Sequence, residues 1–187
     1  MGKTSTGTTA AMKVEYQPAW LTWVASTTTC LRALGSDCDL ADVAGASGYA
    51  FHLCVHEVVC PSGPTVFNWS DLEGGIQYLG RSTLVFHGYE CHSEGHIDDR
   101  TRAHCREAFE IARREIEAGR PCVMWGAYVP EFAVAVGVDS GSYLVSSFKG
   151  CVGEEQPPIP CEEVDAPGGP HRRDPSRRPR HIADATA

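Results

Sequence analysis

The stretch from Gly119 to Lys149, GRPCVMWGAYVPEFAVAVGVDSGSYLVSSFK, constrains this chain more than any other. CVMWGAY (122–128) is a run of β-branched, aromatic and small apolar residues of buried-strand type. EFAVAVGV and SYLVSSF follow, joined through Asp-Ser-Gly, a tight-hairpin signal. The whole stretch therefore reads as strand, loop, strand, tight turn, strand.

Helical signals lie mostly before that sheet. AWLTWV approaches a Ser-Thr-Thr-Thr run at 26–29, whose side-chain oxygens suit a helix cap, and CLRALG follows up to Gly35. Asp39 caps a second short helix, LADVAG. GYAFHLCVHEVVC (48–60) and STLVFHGY (82–89) read as strands around a Pro/Gly turn at CPSGPT. Ser70 and Glu73 fit a capping box opening a helix with Leu72, Ile76 and Leu79 on one face, closed at Gly80. The longest helix runs from about Asp98 to Ala118, with Cys105, Ala108, Phe109, Ala112 and Ile116 as its apolar stripe. On its polar face Glu110 can pair with Arg114, and Arg106 with Glu110. Early helices and late strands indicate an α+β layer fold: residues 1–13 are a flexible start, 14–170 a single domain and 171–187 a disordered basic tail.

Charge and composition narrow the function. The 187 residues carry a formal charge of −8, yet residues 171–187 hold five Arg against Asp174 and Asp184, leaving 11 basic and 22 acidic side chains elsewhere. A body so acidic repels polyanions, which argues against nucleic acid. No apolar run approaches the roughly 20 residues of a membrane span, and the Thr-rich start lacks an apolar targeting core, so the expectation is a cytoplasmic protein that binds no membrane. Nine Cys without a CxxC pair are expected as reduced thiols. GxGxxG and GxxxxGK[ST] are both absent, and no cofactor is expected.

TTTCLRALG, GASGYAFHL and AGRPCVMWGAYVPEFAVAVGVDSGSYLVSSF together resemble the papain-like cysteine hydrolase superfamily. The resemblance is to its C39-like branch and to the amino-terminal domain family of butirosin-biosynthesis acyltransferases. It implies a helix layer packed on a mainly antiparallel sheet, with a nucleophilic Cys on the early helix and a base on the late hairpin. Cys30 stands after the Thr-rich run, where a helix N-terminus lowers a thiol pKa. Six residues before Gly137, where the family carries its His, stands Glu131. The third member would fall near Ser146, Ser147 or Phe148, none of them a carboxylate or amide, and Val24 replaces the oxyanion Gln.

Three functional readings follow. In the first, Cys30 attacks a carbonyl in acyl-transfer or peptidase-type chemistry, and Glu131 or a nearby His moves the proton. In the second, a non-catalytic relative keeps the cleft to bind a small molecule, peptide or carrier-bound intermediate. Asn68, Trp69, Trp125 and Tyr128 are the preferred contacts, among aromatics that include Trp23, Tyr49 and Phe132. In the third, Cys91, His92 and His96 chelate zinc, although adjacent ligands such as Cys91–His92 and His104–Cys105 are poorly spaced and exposed loop histidines are the simpler reading. His52, Cys54, His56 and Cys60 lie on one expected strand, from which a His could swing in as a substitute base.

Overall fold

The computed structural model describes residues 8–52, 69–86 and 99–164. Cys122–Trp125 (β1), Phe132–Asp139 (β2), Ser142–Ser146 (β3) and Ile159–Pro160 (β4) form one antiparallel sheet in the order β1-β2-β3-β4. The β2–β3 turn uses Ser140 and Gly141, both at positive φ (48° and 86°), as a two-residue hairpin with right-handed strand twist requires. Of helices Thr22–Ala33 (α1), Leu40–Ala46 (α2), Trp69–Gly75 (α3) and Asp99–Glu117 (α4), α1 and α4 pack on the sheet and α2 packs on α1, and a single turn, Phe148–Cys151 (α5), follows β3. The class is therefore α+β.

The unbroken apolar character of β2 has a direct cause. Val134 and Val136 pack with Ala25 and Cys30 of α1, while Ala133 and Ala135 pack with Phe109 and Ile116 of α4. Both faces of β2 are thus covered, and every residue from Ala133 to Val138 is buried. A bulge between Ala135 and Gly137 breaks the alternation, so Val138 joins the α4 side. Burying four or five such side chains contributes on the order of 1.5–3 kcal/mol each for the valines.

The first turns of chain are not loose from Thr8 onward. Thr9 N donates to Val138 O at 2.9 Å and Met12 N to Val136 O at 2.8 Å, extending the sheet where β1 has ended. Residue 137 must be Gly for this approach: a Cβ there would lie 3.0 Å from the Ala11 Cα and 3.2 Å from the Thr9 O. The expected flexible start, 1–13, therefore gives way over 8–13 to backbone pairing that sequence periodicity does not reveal.

Several local expectations hold. Asp39 caps α2 in a full capping box with Asp42, Gly80 (φ 74°) ends the 3-10 turn Ile76–Leu79, and Gly119 (φ 78°) follows α4. Others are corrected. Tyr49–Phe51 is a 3-10 turn rather than the start of a strand, and 82–86 forms no strand. Ser70 lies inside α3, not ahead of it. Arg113, not Arg114, pairs with Glu110 (2.8 Å) and with Glu117 (2.6 Å), and Arg106 reaches Glu162 instead. The remainder of the 48–60 and 82–89 expectations, and the 171–187 tail, lie outside the described residues. After α5 the chain returns to the sheet, where Ile159 and Pro160 pair with Tyr143 and Ser142 of β3.

Among the described residues no helix is long and apolar enough to cross a membrane. Gly75 offers a sharp test of the packing of α3 on the end of α2. A Cβ there would fall 2.2 Å from Ala46 O and 2.5 Å from Ser47 Cα, both backbone atoms with little room to yield. Gly75→Ala is expected to destabilise the domain by about 1–3 kcal/mol in urea unfolding, whereas Gly74→Ala, with open space around its Cβ, should not.

Candidate functional site

The site is built where the N-terminus of α1 meets the start of β2. Leu21 is the N-cap of α1 and supplies no side-chain bond, and no acidic residue occupies the first turn. Thr22, the first helical residue, compensates from within. Its Oγ1 donates to Glu131 Oε2 at 2.5 Å and accepts the Phe132 N–H at 3.0 Å. The Glu131 carboxylate therefore sits at the positive end of the α1 dipole, the end that favours a negative charge. One hydroxyl ties helix, loop and strand together.

Cys30 is elsewhere. The Ser-Thr-Thr-Thr run does not cap α1 but lies inside it, because Thr28 and Thr29 turn their hydroxyls back onto Val24 O and Ala25 O, each at 2.8 Å. Cys30 consequently falls in the last turn of α1, at the negative end of the dipole, with its carbonyl bonded by Leu34 N. It is buried against Tyr16, Ala25, Val134 and Val136. Burial pushes its thiol far above the ordinary range, and Cys122 adds to the shift. The expectation of a thiol activated by a helix N-terminus is corrected on both counts, position and electrostatics.

Beside Glu131 lies a small recess with a cavity volume of only about 10 Å³, room for a water-sized group, lined by Tyr128, Val129, Glu131, Phe132, Ser147 and Phe148 together with Ala127 and Ala133. Burial raises the Tyr128 phenol to about 12, and its Oη donates to Pro157 O at 2.8 Å. Lys149 Nζ stands 6.0 Å from the Tyr128 ring centroid and pairs with Glu154. Trp125 does not line the recess; it packs edge-on against Phe132, with ring centroids 4.8 Å apart. Of the expected binding residues, then, Tyr128 forms a wall and Trp125 supports one. Asn68 and the Trp69 side chain lie outside the described residues.

Sequence reasoning missed four polar groups around this place. Gln156 Oε1 accepts from Ser147 N (2.7 Å) and Ser147 Oγ (2.9 Å), so an amide from nine residues further along the chain reaches the edge of the recess. Tyr16 Oη and Ser26 Oγ are buried side by side without the geometry of a full hydrogen bond, to each other or to any described residue. Burial raises the Tyr16 phenol, Ser26 lowers it, and Cys151 and Glu131 raise it further, so Tyr16 lies within the field of Glu131. Thr22 is the fourth, and its position just after an uncapped Leu was the available signal.

Cys91, His92, His96, Cys54, His56 and Cys60 lie outside the described residues. His52 is exposed after the Tyr49–Phe51 turn, and His104 stacks on Phe86 at 4.5 Å. Among the described residues no group of His, Cys, Asp or Glu is arranged to hold a metal ion. No family model, curated protein or solved structure matches the chain.

Two measurements test this electrostatic and hydrogen-bonding account. Thr22→Val leaves the Phe132 N–H and the Glu131 carboxylate without their shared partner, and should cost about 1–3 kcal/mol in chemical unfolding. Thr22→Ser keeps both bonds and should cost clearly less. The second is alkaline stability. Burial, with Glu115 adding, raises Cys122 from 9.0 to about 11, so the unfolded chain loses that proton first. The resulting stability is complete below pH 9 and is lost as pH rises through 11, lowering the urea midpoint over that range. Cys122→Val should flatten part of the fall.

Proposed function

We propose that this chain is a binding domain of papain-like layout in which thiol catalysis is absent. Its ligand is a small molecule, peptide or carrier-bound acyl intermediate, held at the recess beside Glu131. One observation carries this reading: the helix N-terminus and residue 131 present a hydroxyl–carboxylate pair, where a cysteine hydrolase needs a thiol and an imidazole. The Thr22 hydroxyl is already committed, donating to Glu131 Oε2 and accepting the Phe132 N–H, so it serves as a framework group. Cys30 offers no substitute, being buried at the opposite end of α1. The likeness to the C39-like branch rests on the order of the early helix and late hairpin, and α1 packed on β2 with Thr22 against Glu131 is consistent with it.

A thioester of N-acetylcysteamine serves as probe for both halves of the proposal. It should perturb amide resonances between residues 126 and 133 without being cleaved. Cleavage above the buffer rate that disappears in Cys30→Ala would overturn the non-catalytic reading, and an unperturbed 126–133 segment would overturn the binding site. In native protein at neutral pH, iodoacetamide should modify exposed Cys151 well before buried Cys30. The layout itself is tested by Thr22→Cys combined with Glu131→His. This pair puts a thiol at the positive end of α1 next to an imidazole, and the thiol should alkylate roughly tenfold faster than Cys30. Equal rates would argue against a papain-like arrangement of these elements.

A further inference from the structure

The cysteines that the site does not use are not scattered at random. Cys105 lies on α4 between Arg102 and Arg106, and both arginines hold Glu162, the residue that follows Cys161: Arg102 Nη1 at 3.0 Å and Arg106 Nε at 2.7 Å. The helix face that carries Cys105 is therefore turned toward the Cys161–Glu163 turn, on which α4 packs. Cys161 is anchored from the other side by its N–H, which donates to Gly141 O at 3.0 Å. It packs on the cluster of Phe109, Tyr143 and Ile159 that α4 also joins, and Phe109 meets the Tyr143 ring edge-on at 5.0 Å. Both thiols are half-buried, free and within the field of the same Glu162 carboxylate, and each raises the pKa of the buried Tyr143 phenol. Cys122 packs on the same cluster and also raises the Tyr143 phenol, but its sulfur faces Arg120 O at 3.7 Å, and its charged neighbours are Glu115 and Arg120 rather than Glu162.

We propose that Cys105 and Cys161 form an oxidisable dithiol that closes to a disulfide under a two-electron thiol oxidant, latching the Cys161–Glu163 turn to α4. With an azodicarboxamide oxidant the Cys105 sulfur adds to one nitrogen of the N=N bond and the other nitrogen takes up a proton. The Cys161 thiolate then attacks the Cys105 sulfur, the S–S bond forms, the S–N bond breaks, and the hydrazine leaves with the second proton. Two thiols are oxidised and one azo group is reduced. The latch has a consequence at the recess, because the segment that ends in Cys161 begins at Pro157, whose carbonyl holds the Tyr128 hydroxyl. Fixing the Cys161 end restrains that wall, while the two arginine pairs, which are partly exposed, hold it only weakly and in a salt-dependent way.

The test needs the unmodified chain and diamide. Peptide mapping after mild oxidation should recover a Cys105–Cys161 linked pair, titratable thiols should fall by two, and the thermal midpoint should rise because the closed loop constrains the unfolded state. Cys105→Ser and Cys161→Ser should each abolish both the link and the rise, and Cys122→Ser should abolish neither. Recovery of Cys105 and Cys161 as free thiols, or linkage of either one chiefly to Cys122 or another cysteine, overturns the proposal. It stands or falls apart from the binding function, since neither thiol lines the recess.

Discussion

Everything in this domain is arranged around the double-sided burial of β2. A strand covered on both faces and paired on both edges has no tolerance for a polar side chain, and FAVAVGV supplies none between Phe132 and Asp139. α1 and α4 are placed by that requirement, one on the Val134/Val136 face and one on the Ala133/Ala135 face. The bulge near Val136 and the glycine at 137 then allow the chain's early segment to close the ladder that β1 leaves open.

The Glu131 site follows from the same arrangement. β2 begins where α1 begins, so the first hydroxyl of the helix meets the residue just before the strand. Thr22 answers two needs at once, an unpaired strand N–H and a helix end lacking a cap. This explains why a charged residue is stable at the edge of an otherwise apolar layer. It also makes Glu131 a part of the framework, with the recess formed on its other side by Tyr128, Phe132 and Phe148.

The opposite ends of α1 carry the functional contrast. At its N-terminus the partial positive charge is met by a carboxylate, and at its C-terminal turn Cys30 is enclosed by Val134, Val136 and Tyr16. Low dielectric surroundings and the wrong end of a helix both disfavour a thiolate. A second concentration of thiols lies across the sheet, between α4 and the turn after β4, where partial exposure leaves their chemistry accessible.

The amino-acid pattern alone determined the β2–β3 hairpin, the extent of α4 and the ends marked by Asp39, Gly80 and Gly119, because each depends on residues within a few positions of one another. It misplaced α1 because threonine hydroxyls serve equally as caps or as back-bonds to the preceding turn, and only the packing of Trp23, Val24 and Ala25 extends the helix to Thr22. Glu131 was legible as the unusual residue of the hairpin, but its partner was not, since 109 positions separate it from Thr22. Arg102 and Arg106, 60 and 56 positions from Glu162, were hidden for the same reason. Local periodicity fixes which way a side chain faces along its own element. Which distant group it meets there is decided by how the layers pack around β2.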